Sequence, residues 1–432
     1  MRRLISGINI RRIGSMFGVA ALTTVISQVI LQLLIWPVLK NMLGTDVFGG
    51  LSLARSFVAP LIAFTSMGQS AAILRLAARY PQDQRSAFLV TGFWITVVLS
   101  TLAGAGLIAI VVMLPQCLPQ GKGVSPAAMS VVVAISSLMI FFEAPNRITR
   151  TVLRVNLRIQ LASCLEPIAS VLMILAIPLT LVWGINGSAI GMALSSAGMV
   201  LVGVIACRQL GLLKPLLQWR WRDAFEIAKV APFFQLAGGA ITLSHSLSRW
   251  LLAYYISYED VTYFFVADSF ALMFLVPLDL FVQQVLQPLI CAKGSLAELG
   301  PRRIFLFISG GVLFSFAVLV GGYFIGGPLM RVYGSDVVEM SLAPFAILLV
   351  GRSLDVFTIL NRAMLTRFFP SWASAAVWVL FLAVNVTAGF LLVPKYGLSG
   401  AAYAAAIATV CNGLVNLVML LVAFRRSRTA SG

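Results

Sequence analysis

The residues of this chain that could do chemistry are charged side chains set inside long apolar segments. Five carboxylates and four arginines lie in or at the edge of such segments: Glu143, Glu166, Asp268, Asp279, Asp355, Arg55, Arg147, Arg249 and Arg352. A guanidinium group binds phosphate through two parallel hydrogen bonds and stays charged at any physiological pH. Arginines that border water inside an apolar segment would therefore select an anion, and a phosphate or pyrophosphate group has the matching geometry.

The segments that carry these charges are long and apolar enough to span a membrane. Hydrophobic residues make up 60% of the chain and charged residues 10%, and the mean hydropathy is +0.99, whereas a soluble chain has about 25% charged residues. The apolar runs reach about 20 residues, the length that crosses a hydrocarbon core of about 30 Å. Because backbone polar groups in lipid need internal partners, the sequence predicts an all-α polytopic membrane protein with about twelve transmembrane helices.

The predicted spans divide the chain into two halves. We place them at residues 15–39, 49–69, 87–114, 128–147, 160–182, 188–206, 230–253, 262–290, 304–326, 340–361, 372–393 and 399–424. The corresponding domains are a basic cytoplasmic leader (1–14), an N-lobe of six helices (15–207), a cytoplasmic linker (208–229), a C-lobe of six helices (230–424) and a cytoplasmic tail (425–432). The loops between spans are short, so we expect no soluble domain.

Basic residues fall almost entirely on one side of the predicted spans. Of the 31 lysines and arginines, 23 lie in the termini and loops of one side, and the other side has four: Lys40, Lys122, Arg331 and Lys395. The positive-inside rule then predicts that both termini are cytoplasmic. The net charge of +17 is thus a topology signal, reinforced by attraction to anionic membrane lipid. Its spread over separate loops argues against a nucleic-acid partner.

The two predicted lobes carry similar residues at a separation of about 213 positions. The segment GINGSA at 184–189 corresponds to GLSGAA at 397–402, and Arg55 corresponds to Asp268. Either the halves arose by duplication or glycine-rich turns recur by chance. Duplication with six spans in each repeat would give two six-helix bundles related by an axis along the membrane normal, which is a transporter architecture.

Helical spacing indicates which polar side chains could border a cavity between these bundles. Two equivalent spans carry a polar stripe: Gln235, Thr242, His245 and Arg249 in the seventh, and Thr24, Gln28 and Gln32 in the first. A polar stripe inside a membrane most simply borders water. We predict that the ligand-binding residues are Arg55, Arg249, Arg352, Gln28 and His245. His245 could instead be a packing residue held by a hydrogen bond, or it could relay protons.

The remaining charges also have structural interpretations. Arg352 and Asp355 are spaced to pair on one helix face, and so are Glu143 and Arg147. Arg147 could equally extend toward the nearby interface. Asp279 follows a proline and could mark a helix break.

Carboxylates inside spans are also candidates for coupling to an ion gradient. The chain has no nucleotide-binding, hydrolase or zinc motif, one histidine and five scattered cysteines, so we expect no cofactor, no metal site and no enzyme activity. Transport would then depend on H⁺ or Na⁺. The coupling candidates are Asp268, Asp355 and Glu166, and Asp268 comes first because it is the repeat counterpart of Arg55.

Four stretches of the sequence resemble a known family. They read LLIWPVLKNMLGTDVFGGLSLARS at 33–56, SMGQSAAILRLAARY at 66–80, PLMRVYGSD at 328–336 and LLVPKYGLSGAAYAAAIATV at 391–410. Together with the length, the twelve spans and the predicted cytoplasmic termini, they resemble the Wzx-type oligosaccharide flippases of the multidrug/oligosaccharidyl-lipid/polysaccharide (MOP) exporter superfamily. The resemblance covers nearly the whole chain.

The resemblance implies a V-shaped transporter that works by alternating access across the bacterial inner membrane. It would move a lipid-linked oligosaccharide, typically carried on undecaprenyl pyrophosphate, from the cytoplasmic to the periplasmic leaflet. The product would feed O-antigen, capsule or exopolysaccharide assembly, with a polymerase and chain-length machinery as partners. The family's cleft is lined by cationic residues, which Arg55, Arg249 and Arg352 could supply here.

Three alternatives remain open at this point. Drug exporters of the MATE type share the fold, but they usually carry an acidic residue early in the first lobe, and the first span here has none. The lipid II flippases usually have fourteen spans. A membrane enzyme of glycan assembly, such as a polymerase, would usually carry a sizeable periplasmic loop.

Overall fold

The computed structural model describes residues 18–19, 22–23, 25–77, 80–119, 125–156, 158–214, 218–287, 290 and 301–429. Within these residues the regular elements are helical throughout. The predicted leader at 1–14, the stripe residue Thr24 and part of the predicted tail lie outside the described residues.

We number the helices α1 to α6 in the N-lobe and α7 to α12 in the C-lobe. The N-lobe consists of α1 (Val25–Leu43), α2 (Thr45–Leu76), α3 (Gln82–Met113), α4 (Pro126–Val155), α5 (Ile159–Leu172) and α6 (Ala176–Gln209). The C-lobe consists of α7 (Trp221–Tyr255), α8 (Tyr258–Met273), α9 (Val276–Phe281), α10 (Pro301–Met330), α11 (Ser335–Phe368) and α12 (Ser371–Thr429). A π-helical segment interrupts α1 at Val29–Ile35, and another follows α9 at Val282–Leu286.

In the described part of the chain, nine helical stretches are long and apolar enough to cross a membrane. Two of them, Ile159–Gln209 and Ser371–Arg425, bend at Gly184 and Gly397 and therefore each make two crossings. Helices α8 and α9 and the π segment after them lie between two of these stretches in the chain and are not among the nine. The prediction of an all-α polytopic fold is confirmed.

The two bends show the internal repeat directly. Gly184 has φ 56° and ψ −136°, and Gly397 has φ 55° and ψ −129°, a region that is open to glycine and strained for other residues. Three residues further on, Gly187 and Gly400 each lie so close to the carbonyl oxygen of the leucine eight positions upstream that a Cβ would collide with it. The correspondence predicted between these two segments is therefore a correspondence of backbone conformation.

The lobes meet along an antiparallel seam between α2 and α7. Phe57 stacks on Trp250 with ring centroids 5.1 Å apart, and Gly68 lies against Ala231 and Gln235. The polar stripe predicted for the seventh span therefore does not face one cavity, because Gln235 packs into this seam.

One end of the molecule carries most of the basic loops, where α4 ends and α5 begins, and we call it the basic end. At the opposite end, hydrogen bonds and an ion pair join the two lobes. Thr262 Oγ1 donates to the carbonyl oxygen of Thr45 at 2.6 Å, and Lys40 Nζ lies 3.4 Å from Asp336 Oδ2. Both contacts link an N-lobe residue to a C-lobe residue, so the lobes are closed at this end.

Aromatic and backbone packing completes this closure. Trp36, Phe48 and Phe265 form a three-ring group across the lobes, with centroids 5.4–6.2 Å apart and edge-to-face geometry. Beside them, a Cβ at Gly49 would collide with the carbonyl oxygen of Tyr258. Only glycine at this position lets α2 approach the start of α8 so closely.

Two helices extend well past the spans predicted for them. The predicted spans 128–147 and 340–361 lie inside α4 and α11, which run to Val155 and Phe368. As a result, Arg150, Arg154 and Arg362 belong to helices and not to loops. The mean hydropathy falls before these helices end, because their last turns carry charged side chains that lie inside the protein. Hydropathy measures the preference of a residue for lipid, so it does not identify helix ends that are buried in protein.

Candidate functional site

Four charged side chains from three helices meet inside the C-lobe, and we call them the buried cluster: Arg249, Asp268, Arg352 and Asp355. Asp268 Oδ1 accepts a hydrogen bond from Arg352 Nη2 at 2.6 Å, and its Oδ2 lies 3.5 Å from Arg249 Nη2. Arg352 Nη1 lies 3.6 Å from Asp355 Oδ2. The side chains of Arg352 and Asp268 are each only 2% exposed. Their charges are therefore balanced by each other and not by water.

His245 lies at the edge of the buried cluster. Its Nδ1 is 3.1 Å from Arg352 Nη2, and its ring meets Phe381 edge-on with centroids 5.9 Å apart. A guanidinium group can only donate, so Nδ1 is the acceptor and the ring is neutral with its proton on Nε2. The hydrogen bond with Arg352 and the ring contact with Phe381 are the contacts expected if His245 is a packing residue.

Arg55 is an N-lobe residue that interacts with the buried cluster through Arg249. Its Cζ lies 4.5 Å from the centroid of the Trp36 ring, a cation–π contact, and it interacts electrostatically with Glu143 and Arg249. The repeat places Asp268 in the position equivalent to Arg55. Asp268 itself pairs with Arg249 of α7 and Arg352 of α11.

A second set of side chains lies nearer the basic end and joins the two lobes. We call it the accessible cluster: Glu143, Arg147, Arg150, Arg154, Glu166, Asp279, Gln283 and Arg362. Within the N-lobe, Arg147 Nη2 donates to Glu143 Oε1 at 3.0 Å, as the spacing on α4 predicted. Arg150 donates to Glu166 of α5.

A chain of hydrogen bonds carries the accessible cluster across to the C-lobe. Arg154 Nη1 donates to Gln283 Oε1 at 3.4 Å, and Gln283 Nε2 donates to Asp279 Oδ2 at 2.7 Å. Asp279 Oδ1 in turn accepts from Arg362 Nη1 at 2.7 Å. The Arg147 and Asp279 side chains are 37% and 30% exposed. These groups can therefore be reached from outside the protein, unlike the buried cluster.

The expectations for individual charges have different outcomes. Arg352 and Asp355 do approach each other as their spacing predicted, but the shorter contact of Arg352 is with Asp268. Asp279 does lie just after a helix break, because α8 ends at Met273 and α9 begins at Val276. Glu166 pairs with Arg150 in the N-lobe.

Gln28 lies apart from both clusters, on the partly exposed α1. Its neighbour Ser27 makes a buried polar contact, because Ser27 Oγ lies 2.5 Å from Oγ of Ser170 on α5. Gln32 lies within the π segment Val29–Ile35, and its side-chain oxygen is buried without a hydrogen-bond partner among the described residues.

The sequence reasoning missed half of the accessible cluster (Arg150, Arg154, Gln283 and Arg362), although a signal was present for two of these arginines. Glu143, Arg147, Arg150 and Arg154 follow each other at intervals of four, three and four residues, which places all four on one face of a helix. The predicted span 128–147 ends at Arg147 and leaves Arg150 and Arg154 in a loop. The prediction therefore does not place the three arginines on one helix face.

The combined charge of the site suits an anion. The two clusters and Arg55 together contain seven arginines and five carboxylates, an excess of two positive charges. Among the residues that the structure describes, no group of three His, Cys, Asp or Glu side chains is arranged to hold a metal ion.

The fold is that of known transporters. The chain is similar to a MATE protein solved in complex with MaL6, with a TM-score of 0.75 and 17% identity over 96% of this chain and 97% of that one. It is similar to an outward-facing multidrug resistance MATE family transporter of the MOP superfamily, with a TM-score of 0.73, 17% identity and 96% of each chain covered. It also matches a MOP superfamily transporter from Pyrococcus furiosus described as having a binding pocket of reverse polarity, with a TM-score of 0.71, 17% identity and 96% of each chain covered. These likenesses define the class: a polytopic helical protein with the MATE transporter fold.

The sequence narrows this class to a family. Residues 16–292, more than half of the chain, match the family described as polysaccharide biosynthesis protein. The chain belongs to this polysaccharide biosynthesis protein family. A comparison with curated proteins gives no match.

Proposed function

We propose that this protein is a flippase that moves a lipid-linked oligosaccharide, carried on undecaprenyl pyrophosphate, from the cytoplasmic to the periplasmic leaflet of the bacterial inner membrane. The observation that carries the proposal is the arginine-rich site between two lobes that are closed at one end. Membership of the polysaccharide biosynthesis family supports a glycan substrate, and the MATE fold supports transport.

Charge favours a diphosphate as the group that is recognised. A diphosphate esterified at both ends carries two negative charges, and the site has an excess of two positive charges. Guanidinium groups bind such oxygens in pairs. An uncharged sugar would make many weak polar contacts in a water-filled cleft. The diphosphate is therefore the part of the substrate that the arginines bind.

The proposed orientation in the membrane rests on the distribution of charge. We propose that the basic end faces the cytoplasm, with both termini there, because it carries most of the lysines and arginines. The described conformation is then closed to the periplasm, and the accessible cluster is the first charged group that a cytoplasmic substrate meets. Rocking of the two lobes about the α2–α7 seam would expose the site to the other side.

Energy for net transport would come from an ion gradient, H⁺ or Na⁺, acting on a carboxylate. Asp268 is held by two guanidinium groups, and Glu166 is bound to Arg150. Asp355 has the looser pairing, with a 3.6 Å separation from Arg352 and a side chain that is 16% exposed. Asp355 is therefore the first coupling candidate to test among the three.

The test of the function is deletion of the gene in its host, followed by analysis of the surface polymer and of lipid-linked oligosaccharide in the inner membrane. We expect loss of one surface polysaccharide, with its lipid-linked repeat units retained on the cytoplasmic face. Normal polysaccharide together with new sensitivity to cationic drugs would contradict the proposal and favour a drug exporter.

Complementation with point variants tests the site. Arg55→Ala and Arg249→Ala should lower surface glycan while the protein still accumulates in the membrane, because each removes a positive charge from the arginine-rich site. Arg55→Lys should restore only part of the activity, since lysine lacks the planar group that lies over Trp36. Arg208→Ala, at the exposed end of α6, is the matched control and should behave as the wild type. Normal glycan in both alanine variants would contradict a role for these arginines.

A further inference from the structure

The accessible cluster holds arginines whose hydrogen-bonding capacity is only partly used. Arg154 makes one long bond to Gln283 at 3.4 Å, and Arg150 is bonded to Glu166. The Nε atoms of both arginines are buried and have no acceptor in the described part of the chain. A buried donor without a partner carries an energetic penalty, so an acceptor that reaches these atoms is bound favourably.

The groups that now bind these arginines are replaceable. Glu166 is 23% exposed and Asp279 is 30% exposed, so a carboxylate that leaves its arginine can be solvated by water. Gln283 is neutral and accepts through one oxygen. A diphosphate offers more oxygens and more charge than either group, and its two ends can contact arginines on different helices.

The arrangement also spans both lobes. Arg150 and Arg154 project from α4 of the N-lobe, and Arg362 projects from α11 of the C-lobe, with Gln283 and Asp279 between them. Arg154 interacts electrostatically with Arg150 and Asp279, so these charges converge on one region. An anion bound there would tie α4 to α11.

We propose that the accessible cluster is an exchange site for the diphosphate group of the substrate, an inference that rests on the proposed function. The diphosphate displaces Glu166 from Arg150, Gln283 from Arg154 and Asp279 from Arg362, and it bridges the three arginines. Glu166 and Asp279 are internal competitors: they return to their arginines when the group moves on. The two carboxylates thereby keep the site from binding its ligand too tightly to release it.

The experiment measures binding of inorganic pyrophosphate to the purified full-length protein in detergent by titration calorimetry. The Arg150→Gln/Arg154→Gln double variant should bind at least about tenfold more weakly, because it loses two charge-assisted contacts. Glu166→Gln should bind several-fold more tightly and transport more slowly, since the competitor is removed. Glu226→Gln is the matched control: Glu226 also pairs with a basic residue, Lys229 at 3.0 Å, but on the exposed surface of α7.

Several outcomes would overturn the inference. They are an unchanged affinity in the double arginine variant, an affinity of Glu166→Gln no higher than that of the control, and no binding by the wild type at millimolar pyrophosphate. Arg150→Lys, which keeps the charge, distinguishes lost recognition from a folding defect and should bind with intermediate affinity.

If gene deletion leaves the surface polymer intact while binding follows the expected pattern, the anion site stands and the proposed function fails. If the polymer is lost but the binding pattern is absent, only the exchange site fails.

Discussion

At the scale of single residues, Arg352 and Asp268 form an ion pair whose burial is tolerated only because several contacts act together. Removing two charges from water costs several kcal/mol for each ion. Here Asp268 is bound by Arg352 and lies near Arg249, and His245 accepts a further hydrogen bond from Arg352. These bonds join α7, α8 and α11, so we infer that the core of the C-lobe moves as one unit.

We predict that Arg352→Gln lowers the stability of the protein by about 3–5 kcal/mol, because it leaves Asp268 as a buried charge with a weaker partner. Thermal unfolding in detergent measures this as a lower apparent melting temperature. The double variant Arg352→Gln/Asp268→Asn should recover much of the loss, since neither charge then remains. Arg147→Gln is the control, because its pair with Glu143 is well exposed and worth about 1 kcal/mol or less. Equal losses in Arg352→Gln and Arg147→Gln would contradict this account.

At the scale of elements, α4 is the helix that organises the accessible cluster. Its residues Glu143, Arg147, Arg150 and Arg154 form one charged face over three turns, and this face is directed at α5 and at the segment after α9. Helix α11 is the counterpart in the C-lobe and carries Arg352, Asp355 and Arg362. The two repeat-related helices thus supply most of the charged residues of the two clusters.

A second element-scale feature is the approach of α2 to the start of α8 at Gly49. We predict that Gly49→Ala reduces transport and disfavours closure of the opposite end, because the new methyl group collides with the backbone carbonyl of Tyr258, which no rotamer change can move. Gly106→Ala on α3 is the control, since a Cβ there meets no atom within 4 Å. Surface glycan in complemented cells measures both variants. Wild-type glycan in Gly49→Ala would show that this contact is not needed.

At the scale of the whole molecule, the two ends differ in how the lobes are joined. The opposite end is closed by aromatic packing, backbone contact and the pair of Lys40 with Asp336. At the basic end, the lobes are joined by a hydrogen bond of 3.1 Å from Tyr80 Oη to the buried Asp223 of α7, and by the partly exposed pair of Asp279 and Arg362 in the chain that starts at Arg154. For the site to open at the opposite end during transport, the aromatic, backbone and ion-pair contacts there must break.

We predict that Lys40→Glu weakens this closure, because it sets two negative charges against each other. Asp336 is 60% exposed, so the effect is modest, on the order of 0.5–1 kcal/mol or a two- to fivefold shift in population. Spin labels at Asn41 and Ser335, in a background without other cysteines, would report it as a larger fraction of long distances. The exchanged pair Lys40→Glu/Asp336→Lys should restore the short distance. If the single and double variants give the same distances, the ion pair has no part in closure.

Much of the fold could be predicted because it depends on local composition. Apolar runs separated by basic turns identify crossing helices, and the glycines at 184 and 397 identify the bends. Helix ends were predicted less well where charged residues such as Arg154 and Arg362 continue a helix inside the protein, because hydropathy measures the preference for lipid. The spacing of Glu143 and Arg147 predicted their pairing, since both lie on one helix and adjacent turns fix their separation.

The sequence by itself therefore determined the class of the protein: a helical membrane protein of two related halves with charges held between its apolar segments. Only the tertiary structure decided which charges meet. Asp268 binds Arg352, which is 84 residues away, and Arg154 reaches Gln283, which is 129 residues away. The physical reason is that a helix repeats every few residues and so encodes its own faces, whereas the pairing of charges on different helices depends on how those helices pack against one another.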